Sequence, residues 1–173
     1  MANALFSSEV FQETWRIVES EFLTALGETF YVTILATAFA ILLGLPLGVL
    51  LVAGEKGGVM PLPKPLLKLI DVVINILRSV PFLILMILVI PLTRFLVGTS
   101  VGTVASIVPL VIAAFPFVAR LCESSLREVD PNVIEAAQSM GASPLQIICR
   151  VMIPEAVPSL ISNATIAVTT ILG

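Results

Sequence analysis

Apolar residues run through this chain in long blocks separated by short polar stretches, a pattern that predicts helices longer than a soluble core needs. Residues 29–54 carry no charge; as a helix they extend about 39 Å at ~1.5 Å per residue, enough to cross a hydrocarbon core of about 30 Å. The next uncharged run, 79–93, is shorter, so the span predicted over 74–93 borrows Ile74 to Leu77 and holds Arg78 near an interface. A charge at mid-bilayer would cost about 2.5–3.5 kcal/mol. After Phe95, the Gly98, Thr99, Ser100 and Gly102 cluster predicts a tight turn, and 102–119 a third span. The fourth run, 156–173, is still apolar where the sequence stops; its last carbonyls would lack a polar exit, so a fragment is expected.

Ahead of the first span, Phe11, Trp15, Val18, Phe22 and Leu26 recur at helical spacing, which predicts a helix within 1–27 lying along the outer interface with Trp15 as an anchor. No basic flank precedes an early apolar run, so no cleaved signal is expected. Within the first span Ala36, Ala40, Gly44 and Gly48 fall every four residues, a small-residue stripe that lets another helix approach closely, and Pro46 predicts a kink.

Composition agrees with a bilayer chain: 58% of residues are hydrophobic and 12% charged, against about 25% charged in ordinary soluble domains. A net charge of −3 excludes a basic nucleic-acid module. The complete lack of histidine excludes His-based triads and zinc–imidazole sites. Cys122 and Cys149 stand far apart and read as free thiols, and no metal site is expected. The cations orient the spans. Lys56, Lys64, Lys68, Arg78, Arg120, Arg127 and Arg150 fall on one side of alternating spans, with only Arg16 and Arg94 on the other. The positive-inside rule then places the 54–78 and 120–155 loops in the cytoplasm and the N-terminus outside.

The 120–155 stretch is organised beyond a connector. Asp130 followed by Pro131 forms a helix start, and Gly141 a helix stop. Ser143, Pro144 and Gln146 then form a capping box, opening a second helix that runs until Pro154 interrupts it.

The spacing Glu135-Ala136-Ala137, three residues, Gly141, nine residues, Val151, one residue, Ile153-Pro154 resembles the EAA loop of ABC importer permeases. That resemblance implies a coupling helix that docks into a groove on a separate ATPase subunit, with Glu135, Ala136, Ala137, Gly141, Ala142, Ser143, Pro144, Val151, Ile153 and Pro154 as the coupling loop. Small side chains at Ala136, Ala137 and Ala142 allow a close fit, and Glu135 offers a carboxylate to a basic partner.

Residues 75–82 (Asn-Ile-Leu-Arg-Ser-Val-Pro-Phe), 90–94 (Ile-Pro-Leu-Thr-Arg), 97–102 (Val-Gly-Thr-Ser-Val-Gly) and 44–48 (Gly-Leu-Pro-Leu-Gly) are similar to methionine ABC importer permeases. The resemblance implies an all-α polytopic membrane bundle of the type I importer permease fold, with four spans present and a fifth helix missing. It also implies a bacterial inner-membrane homodimer, two ABC ATPase subunits that bind the ATP and Mg, and an extracytoplasmic substrate-binding lipoprotein. Another amino acid or small solute remains open as cargo.

Two further groups of side chains are candidates. Asp71, Asn75, Arg78 and Arg120 predict a charge and hydrogen-bond cluster at the membrane edge, with simple interfacial anchoring as the alternative for the arginines. Ser162, Asn163, Thr165 and Thr169 mark a polar face in the fourth span that either lines a translocation route or serves helix contacts. With no Gly-x-x-x-x-Gly-Lys-Ser/Thr loop, ATP hydrolysis is not expected of this chain alone, and no enzyme chemistry is expected. A secondary transporter is disfavoured because no acidic residue lies well inside an apolar run.

Overall fold

A computed structural model describes the backbone of residues 8–172 and the side chains of 12–172. Among these, all regular structure is helical: α1 (Ser8–Ala53), α2 (Lys64–Ser79), α3 (Phe82–Val97), α4 (Thr103–Arg127), α5 (Pro131–Ser139), α6 (Pro144–Ile147) and α7 (Ile153–Leu172), with a π-helical turn over Ile148–Met152 joining α6 to α7. Three helices are long and apolar enough to cross a membrane, or four if α2 and α3 count as one broken span.

Helix α4 is the hub, with α1, α2, α3 and α7 all packed on it. The closest pairing is with α1. Ala36 and Ala40 are fully buried, and a Cβ built on Gly48 would lie 2.7 Å from Cys122 Cβ and 2.9 Å from the Ala119 carbonyl. The small-residue stripe therefore does what its spacing predicts, and α4 is the helix it admits. By contrast the continuous helical stretch Pro144–Leu172, which contains α7, is peripheral: 17% of its apolar window is buried within the chain, against 44% for α4. Its exposed Ile161 and Ile166, like Leu83, Ile87 and Leu88 of α3, are left for lipid or another subunit.

Several boundaries differ from expectation. The lead-in and first span are not separate: α1 is a single 46-residue helix, about 69 Å long, that continues through Gly27 and Pro46. A lone glycine costs only about 1 kcal/mol in a helix, too little to break one. Trp15, Val18 and Phe22 are exposed on its first half, while the Phe11 side chain lies outside the described residues.

The span expected over 74–93 is not one helix either. It breaks at Val80-Pro81, where α2 and α3 meet at a bend of 114°. Pro81 has no N–H to continue the ladder and forces Val80 into an extended conformation (ψ 126°).

The third span runs on past 119. α4 continues two turns to Arg127, because nothing in 120–127 opposes helix and Arg120, Glu123 and Arg127 pair along one face. Arg120 thus belongs to the bundle, and the loop begins at Glu128. Pro154 does not interrupt the helix that follows. The π turn ahead of it widens the ladder, with Ile153 N–H bonding to Ile148 O, so the chain enters α7 with the proline in its first turn.

Candidate functional site

The turn between α5 and α6 is built from local chemistry. Asp130 accepts the Asn132 N–H at 2.9 Å and starts α5. The helix ends with Gly141 at φ +78°, its N–H bonded to Gln138 O and the Ala142 N–H to Ala137 O, a paired closure that a left-handed residue makes possible. Ser143 and Gln146 complete the reciprocal capping box that opens α6.

This hairpin is anchored by a core of its own. Ala137, Ile147, Ile148 and Met152 are buried against Ala53 of α1, Leu126 of α4 and Ala156 of α7. Of the small residues expected to face a partner, Ala137 instead points into this core and Ala142 packs against it; Ala136 is exposed. Val151 and Ile153 are half-buried supports, and Pro154 is exposed. Glu135 is exposed and lines a groove with Gly57 and Gly58 of the α1–α2 loop. The tip carries two side chains that sequence reasoning missed: Met140 is 81% and Leu145 67% exposed. Their signal was large apolar residues flanking a turn of small residues and proline, Gly141 to Pro144.

A chain of charges ties the end of α4, just ahead of the hairpin, to α2 and to the loop after α1. Arg120 of α4 bonds Asp71 of α2 and donates to Asn75 Oδ1 at 3.1 Å, while Asn75 donates to Asp71 at 3.2 Å. Its other nitrogen meets Glu123 at 2.7 Å. Glu123 also holds Arg127 at 2.8 Å, and Arg127 grips Glu55 through two bonds of 2.5 and 3.1 Å. Three of the four membrane-edge candidates therefore come together. Arg78 is exposed and takes no part in the network. Glu123, Arg127 and Glu55 were not picked out as site residues from sequence, although the 120, 123, 127 spacing places Arg120, Glu123 and Arg127 on one helical face.

The hydrogen bonds from Arg127 hold the Glu55 carboxyl below its usual range, outweighing partial burial. A lowered folded-state pKa stabilises above the ordinary carboxylate value and is lost only as pH falls through the lowered one, so this tether is fully formed at neutral pH. Arg120→Met is expected to destabilise by about 2 kcal/mol, because it leaves Asp71 with Asn75 alone and removes one of two partners from a largely buried Glu123. Thermal unfolding in detergent checks this; an unchanged midpoint would remove the network's structural role.

On α7 the polar residues divide. Ser162, Thr165 and Thr169 are exposed and bond back to carbonyls of their own helix. Asn163 turns the other way and donates to Leu121 O at 3.1 Å and to Ser125 Oγ at 2.7 Å, tying α7 to α4. Asn163 is thus a helix–helix strut on a different side from the three hydroxyls.

Residues 40–173 match the family model described as binding-protein-dependent transport system inner membrane component. The chain belongs to that family. As such a component it is an inner-membrane permease, and the matched region takes in the hairpin, the charge network and α7. It is 49% identical over 160 residues to the probable D-methionine transport system permease protein MetI of Vibrio cholerae, covering 92% of this chain and 71% of that one. It is 44% identical over 146 residues to the D-methionine transport system permease protein MetI of Escherichia coli, covering 84% and 67%. Among solved structures, an inward-facing MetNI methionine ABC transporter matches with a TM-score of 0.84 at 42% identity, over 87% of this chain and 69% of that one. The all-α permease fold expected from the resemblance is the fold observed.

Proposed function

We propose that this permease carries methionine across the bacterial inner membrane as part of an ATP-driven importer, paired with a second copy and driven by two ATPase subunits that bind the ATP and Mg. A substrate-binding lipoprotein delivers the solute outside. The N-terminus lies outside, and the 54–63 loop and the α5–α6 hairpin lie in the cytoplasm. The named relatives support methionine as cargo.

The hairpin carries the mechanism. Its tip presents Met140 and Leu145 to a partner, while its base shares a core with α1, α4 and α7. A push at the tip therefore moves three long helices together rather than bending a loop, since a close-packed core transmits displacement. ATP closure and opening of the partner pair supply the push, and the helices alternate between outward and inward access. The exposed hydroxyls of Ser162, Thr165 and Thr169 face away from the α4 contact, where a second copy completes a route. Asn163 keeps α7 in register.

The test is co-purification and uptake. The double variant Met140→Glu, Leu145→Glu is expected to insert and fold normally yet lose the ATPase subunit and all ATP-dependent methionine accumulation in vesicles, since two charges replace the apolar contacts. Retained assembly and uptake would overturn the docking assignment. Accumulation of some other amino acid in preference to methionine, by the unaltered transporter, would overturn the cargo alone.

A further inference from the structure

Helix α2 is two-sided in an unusual way for a helix inside a bundle. Ile74 is buried, and Asp71 bonds Arg120 of α4. Yet Leu66, Leu69, Val73 and Ile76 are 44–60% exposed along a neighbouring face. At 100° per residue these four occupy one contiguous arc, and Lys64, Lys68, Asp71 and Asn75 occupy a polar stripe on the opposite side of the wheel. With the 114° bend at Pro81 turning it away from α3, α2 has the form of a helix lying in an interface: apolar arc toward acyl chains, polar stripe toward headgroups.

The polar stripe borders an open groove between the end of α1, α2 and α4, lined by Lys56, Lys64, Lys68, Glu55, Asp71 and Glu123. Its charges are not balanced internally. Each of the three carboxylates is already held by Arg120 or Arg127. The three lysines are exposed and make no ion pair among the described residues. Two guanidiniums against three carboxylates leave a single negative charge, so the three lysines make the groove as a whole a cationic surface, across α2 from its apolar arc.

We infer that this groove binds an anionic phospholipid of the inner leaflet, its phosphate held by Lys56, Lys64 and Lys68 and its acyl chains lying along Leu66, Leu69, Val73 and Ile76. A soluble partner would match the ammoniums but leave the apolar arc on the far side of α2 uncovered; for a helix lying in the interface, lipid matches both, headgroup on the polar side and acyl chains beneath. Because α2 is tied to α4 through Asp71 and Arg120, the bound headgroup braces the base of the hairpin against the membrane plane. Each ammonium near an anionic surface adds attraction that salt weakens.

The assembled transporter is reconstituted in nanodiscs of phosphatidylcholine with a minor share of phosphatidylglycerol, and the lipids it retains on extraction are counted by native mass spectrometry. The unaltered protein should keep phosphatidylglycerol several-fold over its share of the bilayer. Lys56→Gln, Lys64→Gln, Lys68→Gln together should bring that ratio close to one, with unfolding midpoint and ATPase co-purification unchanged, and the triple change to arginine should keep it. The inference is overturned if the glutamine variant keeps the preference, or if the glutamine variant sheds the ATPase subunit. In the second case the lysines serve a protein contact.

Discussion

Leucine at position 48 is expected to prevent α1 and α4 from packing, and with them the permease from folding. A Cβ there would sit 2.7 Å from Cys122 Cβ and 2.9 Å from both the Ala119 carbonyl and the Glu123 nitrogen. These are backbone atoms and a first side-chain carbon of the hub helix, not the ends of flexible side chains, so relief requires the two helices to move apart. Added methylenes in a close-packed core cost about 1–3 kcal/mol when neighbours can adjust; four added carbons with no room to adjust exceed that range. Separating α1 also strips burial from Ala40 and Val118. The readout is alkylation of buried Cys122, with exposed Cys149 replaced by serine. Protection should vanish in Gly48→Leu and persist in Gly27→Ala, where a Cβ meets nothing within 4 Å. Full protection in the leucine variant would mean that the helices do not touch at this crossing.

Gly141→Val should uncouple transport from ATP hydrolysis while leaving the bundle intact. The cause is backbone strain alone, since a Cβ at this position meets nothing within 4 Å but φ is +78°. Left-handed geometry costs an ordinary residue about 1–2 kcal/mol, and a β-branched one more. The chain escapes by abandoning the bonds from Gly141 to Gln138 and from Ala142 to Ala137, which reorients Met140 against Leu145 at the tip. Methionine uptake per ATP hydrolysed should drop at least about tenfold, the equivalent of ~1.4 kcal/mol of lost coupling. Gly141→Asn, which tolerates the left-handed region, should keep most of it. Normal uptake in the valine variant would show that the turn geometry does not matter to coupling.

Much of the candidate site was legible because its determinants are close in sequence. Asp130-Pro131, Gly141 and the Ser143/Gln146 box each act within one helical turn, and all three appear as expected. The Ala36 to Gly48 stripe was readable as a contact surface, but not as a contact with α4. Where proline was concerned, the local rule gave the wrong answer at Pro154, because a π turn absorbed the missing donor, whereas Pro81 broke a span that hydropathy alone had read as continuous. Ala137 was expected at a partner's groove from the EAA-loop resemblance and its small size. Its burial depends on Ile147 and Met152, which pack with it in the hairpin's own core.

Residue order alone was enough to place this chain in a bilayer and to show that one organised hairpin, started at Asp130, stopped at Gly141 and restarted at Ser143, interrupts its apolar helices. Those outcomes follow from hydropathy and hydrogen bonds among neighbouring residues. Packing between distant segments makes α4 the hub, lets Arg120 and Arg127 join Asp71 to Glu55 through Glu123, and gives the hairpin a core shared with three long helices. Partners separated by 49 and 72 positions meet through the packing of whole helices. Helical periodicity tells which face a residue occupies, but not which helix that face will meet.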